Sequence, residues 1–250
     1  MTARKYELTD DTLDSDGRTL HRIRALRDMG DDVRTGDLGG YVEDARNLSQ
    51  SGDGWIFGNA GALGNACVGG NARVYGNAWV LGNAGVLGNA LVYGNARVLG
   101  NALVGGNARV YGNAWVYGNA QVYGDARVDG NARIMSGDHL LVAGPIGSRG
   151  WYTTFFREQI GDGYRMRVRC GCFAGDLDAF LAAVQRTHGD NRHARDYRVA
   201  AELARLHIDL TADADKNEYV GSEARAAECG SCAPASKEAG APTPASANTR

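Results

Sequence analysis

Cys170, Cys172, His188 and His193 are the residues of this chain with a metal-ligating character. Two thiolates and two imidazoles suit tetrahedral zinc. Against zinc, Cys-x-Cys is tighter than the common Cys-x2-Cys knuckle, and the two histidines flank a turn signal at Gly189. The reading we favour packs Cys172 in a core beneath a helix starting near Asp176 and hydrogen-bonds His188 at that helix's end. A Cys–His nucleophile pair on the same residues lacks a third group to orient it. Cys229 and Cys232 form a Cys-x2-Cys without the βαβ context that would give it meaning. No cofactor is implied.

Aromatic and arginine residues supply the second candidate site, and their placement depends on a repeat. From Gly58 to Gly130 a glycine recurs every six residues, followed by Asn or once Asp, then Ala, and an aliphatic residue two places after Ala. The unit Ala72-Arg73-Val74-Tyr75-Gly76-Asn77 alternates inward and outward residues like a half-buried strand and closes on a corner. Glycine accepts positive φ there, and Asn tolerates it better than most residues. A short fixed period marks a solenoid whose units bury their apolar faces by stacking. Three sides and eighteen residues per turn are expected, with Asn59, Asn77, Asn95 and Asn113 stacked as a corner ladder.

That period assigns the outward residues to columns. One face carries Arg73 and Tyr75, then Leu91 and Tyr93, then Arg109 and Tyr111. A second carries Trp79, Arg97, Trp115 and Arg133 in alternation, spaced for guanidinium-on-indole stacking. The third is the blandest. Either these side chains stack because a flat parallel sheet favours like-on-like ladders, or they form a contact surface for bases, sugars or phosphates. A run of outward aromatics and leucines also exceeds ordinary scatter, which points to a partner surface.

Charge limits the choice of partner. Net charge is −2. Residues 58–135 hold five Arg, two Asp and no Lys or Glu, a balance of +3. That is far from the dense basic patch of a strong duplex nucleic-acid binder. The partner classes left open are a protein, a nucleotide or a glycan, together with a homo-oligomer. No signal peptide is visible and no apolar run is long enough to span a membrane, so the cytoplasm is the expected compartment.

Around the repeat the chain divides into an N-terminal cap at 1–47, the solenoid at 48–135, a C-terminal α/β module at 136–210 and a tail at 211–250. In the cap, strands are expected at Lys5–Leu8 and Thr19–Leu26 around the Asp14-Ser15-Asp16-Gly17 turn. Tyr41, Val42 and Leu48 read as a first irregular coil. Trp151–Arg157 and Tyr164–Cys170 read as a hairpin, and Asp176–Thr187 and Ala194–Leu206 as helices. Arg165, Arg167 and Arg169 share one strand face, a feature of anion sites and, more commonly, of ion-paired strands. The tail, rich in Ala, Ser, Glu and Pro, is expected to be disordered.

The stretches KYELTD, DGRTLHRIRALRD, GDLGGYVE and NLSQ, the GNA repeats, CGCFAGDLDAF and THGDN together resemble hexapeptide-repeat proteins of phages and prophages. The resemblance covers about residues 4–208 and implies a phage accessory protein with a left-handed parallel β-helix. It brings no catalytic residues. The expected fold is therefore mainly β, a three-sided parallel β-helix between a β cap and a small α/β module. The leading function is non-enzymatic binding through the aromatic and Arg ladders. The alternatives are a hexapeptide acyltransferase-like enzyme and a self-assembling scaffold. For the enzyme, no His lies between residues 22 and 138 to serve as general base in the solenoid.

Overall fold

A computed structural model describes residues 4–211; the Cys229/Cys232 pair and the expected disordered tail lie outside the described residues. Between Trp55 and Ile134 the chain forms fourteen two-residue strands, β4 (Trp55–Ile56) to β17 (Arg133–Ile134), one in each six-residue unit. Strands three units apart pair in parallel, as Arg97 with Trp79 and Trp115, so the coil has three sides and eighteen residues per turn. Backbone bonds tie each coil to the next, for example Asn77 N to Gly94 O at 2.8 Å and Trp79 N to Ala96 O at 3.0 Å.

The corners follow from the Gly-Asn pair. Gly76 sits at φ 73°, Gly94 at 74° and Gly112 at 72°, the left-handed region that a Cβ disfavours. The following asparagines hydrogen-bond up the stack, Asn77 to Asn95 to Asn113 to Asn131 along one corner. The other two corners carry the same ladder, one from Asn65 to Asn119 and one from Asn71 to Asp125. Each amide thus gives one donor and one acceptor to its neighbours. Inside, the alanines from Ala60 to Ala132 and the valines from Val68 to Val128 are fully buried and form a narrow apolar core.

The N-terminal cap extends one side of this prism. Strands β1 (Tyr6–Ser15) and β2 (Arg18–Ala25) form an antiparallel hairpin, and β2 pairs with β3 (Leu38–Val42). β3 then pairs in parallel with β5 (Gly61–Ala62), making one eight-stranded sheet. β1 is longer than the sequence suggests and carries a bulge between Leu8 and Thr12. Leu48 bridges in parallel to Val68 and completes the irregular first coil. Trp55, outward by register, is buried because the cap covers it, with the Tyr6 ring edge-on at 6.3 Å.

The opposite end is closed by a four-stranded antiparallel sheet: β18 (Leu140–Ile146), β19 (Trp151–Ile160), β20 (Gly163–Cys170) and β21 (Phe173–Asp176). Two helices follow, α1 (Leu177–His188) and α2 (Arg192–His207). Asp176 accepts from Ala179 N at 2.8 Å and Asn191 from Ala194 N at 3.1 Å, so each helix starts on a side-chain cap. β19 serves two cores at once. Phe156 joins the solenoid core, while Phe155 packs edge-on against Phe180 in the helix core. The strand also satisfies the last coil's open backbone edge: Arg127 N donates to Thr154 Oγ1, and Arg157 Nε donates to Arg133 O, both at 3.0 Å.

Candidate functional site

The Tyr column and the Trp–Arg column, assigned to separate faces by the period, flank one and the same corner. Gly76-Asn77 joins β7 (Arg73–Val74) on one face to β8 (Trp79–Val80) on the next, and the pattern repeats a coil later. Three ladders therefore run side by side along one edge of the prism: Tyr75–Tyr93–Tyr111, Asn77–Asn95–Asn113–Asn131, and Trp79–Arg97–Trp115–Arg133. With about 4.8 Å between layers, this ridge is some 15–20 Å long.

Stacking uses up the ring faces. Tyr75 on Tyr93 and Tyr93 on Tyr111 lie 4.9 and 4.8 Å apart with interplanar angles of 2°. Trp115 is sandwiched, with the Arg97 guanidinium at 5.1 Å on one side and that of Arg133 at 4.8 Å on the other. Trp79 lies over Gly61, where any Cβ would overlap the indole. The ridge presents ring edges, phenol hydroxyls, amides and guanidinium edges to its surroundings.

The arginines of the columns differ in what they already hold. Arg133 donates to Asn113 O at 3.0 Å and to Ala132 O at 2.9 Å. Arg73 is ion-paired with Asp32 of the cap. Arg97 and Arg109 are exposed, and neither makes a side-chain hydrogen bond or ion pair among the described residues. Arg97 is thus a charged group held flat by Trp115 with its donors unspent. The column also reaches beyond the repeat: Tyr41 and Arg22 continue it through the cap, the Arg22 guanidinium lying 5.5 Å from the Tyr41 ring.

The Tyr ladder is closed at its ends. Phe57 meets Tyr75 edge-on at 6.3 Å, and Tyr111 accepts a hydrogen bond from Arg169 at 2.6 Å. Burial raises the Tyr111 phenol pKa, with Asp129 adding to the shift, so the hydroxyl stays protonated. Arg165 and Arg167 pair with the buried Glu158, and Arg167 and Arg169 with the buried Asp129. The Arg face of β20 is therefore an ion-paired seam against the last coil.

The Cys and His residues of the C-terminal module do not converge. Among the described residues no group of three or more His, Cys, Asp or Glu side chains is placed to hold a metal. The expected burial of Cys172 is corrected: Cys172 is exposed in the turn after β20, and Cys170 is the packed thiol. Cys170 accepts from Thr153 Oγ1 at 3.2 Å and lies 3.7 Å from the Tyr197 hydroxyl. The two-residue alternation of β20 turns Cys170 toward the helices, and the Gly171 turn releases Cys172 from the sheet. His188 and His193 are 5.9 Å apart between their rings, and His188 lies 5.8 Å from the Tyr197 ring. Burial, reinforced by Cys170, pushes the Tyr197 phenol up to about 12.

Fold and surface together define a capped, three-sided parallel β-solenoid with a ladder-built edge. Residues 66–82, 90–106, 104–118 and 120–135 match the family model described as the YdcK beta solenoid repeat. A comparison with curated proteins finds no match. Among the described residues no helix is long and apolar enough to cross a membrane.

Proposed function

We propose that this protein works by binding, without catalysis, and that its contact surface is the corner ridge of Tyr75, Tyr93, Asn95, Arg97, Trp115 and Arg133. The observation that carries this reading is Arg97: exposed, immobilised against an indole, and unpaired among the described residues. A guanidinium held in plane loses little freedom when its edge meets a carboxylate or sulfate. The neighbouring amides and phenols add donors and acceptors at one-coil intervals. Because the ring faces are already stacked, an acidic glycan suits this edge better than a run of nucleobases. The phage and prophage resemblance supplies the setting, an accessory binder in the host cytoplasm.

Binding of a fluorescent heparin oligosaccharide and of an oligo-dT of similar charge, each titrated at two salt concentrations, tests the reading. The glycan is expected to bind more tightly, and Arg97→Ser with Trp115→Ser is expected to weaken it at least tenfold. Tighter oligo-dT binding, or glycan binding indifferent to those substitutions, would remove the ridge from consideration.

A further inference from the structure

Helix α2 carries an apolar stripe that nothing in the described fold covers. Val199, Leu203, Leu206 and Leu210 are 70, 51, 79 and 39 % exposed. Val199, Leu203 and Leu206, spaced by four and three residues, lie on one side of α2, the pattern of a two-helix seam, and Leu210 follows three residues beyond the helix end at His207. The opposite side is already spent: Ala194, Tyr197, Ala200, Ala201 and Ala204 are buried against the sheet. Large aliphatic side chains at such exposure, in register, are not ordinary surface scatter.

The ends of the stripe are oppositely charged. Arg192 and Arg195 stand at its N-terminal end, exposed and without an ion pair among the described residues. Asp209 stands exposed at the other end, its carboxylate accepting from Thr211 N at 2.7 Å. A two-fold axis passing near Leu203 would lay the helix antiparallel to its own copy and bring Arg195 to Asp209 of the partner subunit. Parallel pairing would instead set the arginines against their own equivalents. The chain beyond Thr211 is a poorer cover, since residues 212–250 contain only Tyr219 and Val220 as large apolar side chains.

We infer that a second copy of this chain docks on α2, antiparallel and two-fold symmetric, through Val199, Leu203, Leu206 and Leu210. Isologous pairing of this kind is the commonest closed assembly. Four side chains fall short of the roughly 800 Å² per partner of a standard interface, so the dimer is weak and concentration-dependent. It carries two ridges, which strengthens attachment to a repetitive ligand by avidity.

Sedimentation velocity of the full chain, from low micromolar to several hundred micromolar, tests the inference. Wild type is expected to shift from monomer to dimer, and Leu206→Glu to remain monomeric with unchanged helical circular dichroism. Arg195→Glu is expected to weaken association about tenfold, with Asp209→Arg in the same chain restoring it. A wild type that stays monomeric throughout, or a dimer that survives Leu206→Glu, would overturn the proposal. So would association gained only on replacing Tyr219 and Val220 by Ser, because the tail would then be the cover.

Discussion

Arg169 donates a 2.6 Å hydrogen bond to the hydroxyl of Tyr111, so the last ring of the tyrosine stack is fastened by a strand that is not part of the coil. The same guanidinium lies 3.4 Å from Asp129, one coil further on. Ladder and end module are therefore one mechanical unit. Replacing Tyr111 by Phe removes the bond but keeps the stack. It is expected to cost about 1 kcal/mol in denaturant unfolding, and Arg169→Ala is expected to cost more because Asp129 loses a partner as well.

Glu158 tests the seal directly. Its buried carboxylate takes Arg165 at 2.9 Å and Arg167 at 3.4 Å and also receives Asn131 N at 3.4 Å. Glu158→Gln leaves Arg165 without its counter-charge and Arg167 with Asp129 alone. A loss of about 3 kcal/mol is expected. Hydrogen exchange is expected to rise first at the backbone of the last coil, residues 127–134, and an unchanged profile there would show that the seal does not rest on Glu158.

Register can be broken and restored. One residue inserted between Gly94 and Asn95 turns the inward residues of the following strand outward. Copying a full eighteen-residue turn at the same place preserves every neighbour contact. The single insertion is expected to lower the melting temperature sharply and the full turn to leave it within a few degrees. Equal effects would contradict stacked coils.

Corner glycines are expected to differ in proportion to what stands above them. At Gly94 an added Cβ would meet Gly112 N at 3.0 Å with φ at 74°. At Gly58 φ is 59° but nothing lies within 4 Å. Gly58→Ala is expected to cost about 1 kcal/mol from backbone strain alone, and Gly94→Ala at least twice that. Paired urea titrations check the order.

Stability is expected to rise and then fall at alkaline pH. Lys5 is buried with its ammonium on Gly54 O at 2.9 Å, and burial, with Arg27 adding to it, lowers its pKa from 10.5 to about 8. Below pH 8 both folded and unfolded chains hold the proton and the burial cost stands in full. Between 8 and 10.5 the folded chain sheds it first, so stability grows by on the order of 3 kcal/mol at most. Above pH 10 the unfolded chain ionises Tyr6 while burial keeps the folded phenol protonated up to about 12, and stability drops again. Lys5→Met is expected to flatten the rise in a pH series of thermal melts and spare the fall.

Much of the coil was legible because its information is local. Gly76-Asn77 and its equivalents state a corner within two residues, and Ala-x-Val states a strand within three. The start of α1 near Asp176 was readable, whereas the second helix was read from Ala194, two residues after α2 begins at Arg192 on its Asn191 cap. The site was less so. Columns could be assigned from the eighteen-residue period, but not that Trp115 would spend both faces on Arg97 and Arg133. Asp129 and Glu158 read as ordinary carboxylates, because their arginine partners come from β20 and become neighbours only when the module folds back. Cys170 and Cys172 exchanged roles for a similar reason: the turn at Gly171 decides which thiol stays in the sheet. The exposed stripe on α2 is written in the spacing of Val199, Leu203 and Leu206, but which side of the helix is covered depends on the sheet beneath Tyr197 and Ala201.

Both ends of the prism are fixed to particular sides of it, the hairpin to the side of Tyr41 and Gly61, the terminal sheet to Asp129 and Ala132. One extra six-residue unit would leave every corner chemically content and yet rotate the terminal module by a third of a revolution relative to the hairpin. The angle between the two ends can therefore change only in such steps, and the original phase returns only after a whole turn. Lineages that lengthen or shorten this protein by slippage among its near-identical units should thus be filtered in multiples of three. The ridge then behaves as a ruler graduated in whole coils, its two end-stops always pointing the same way.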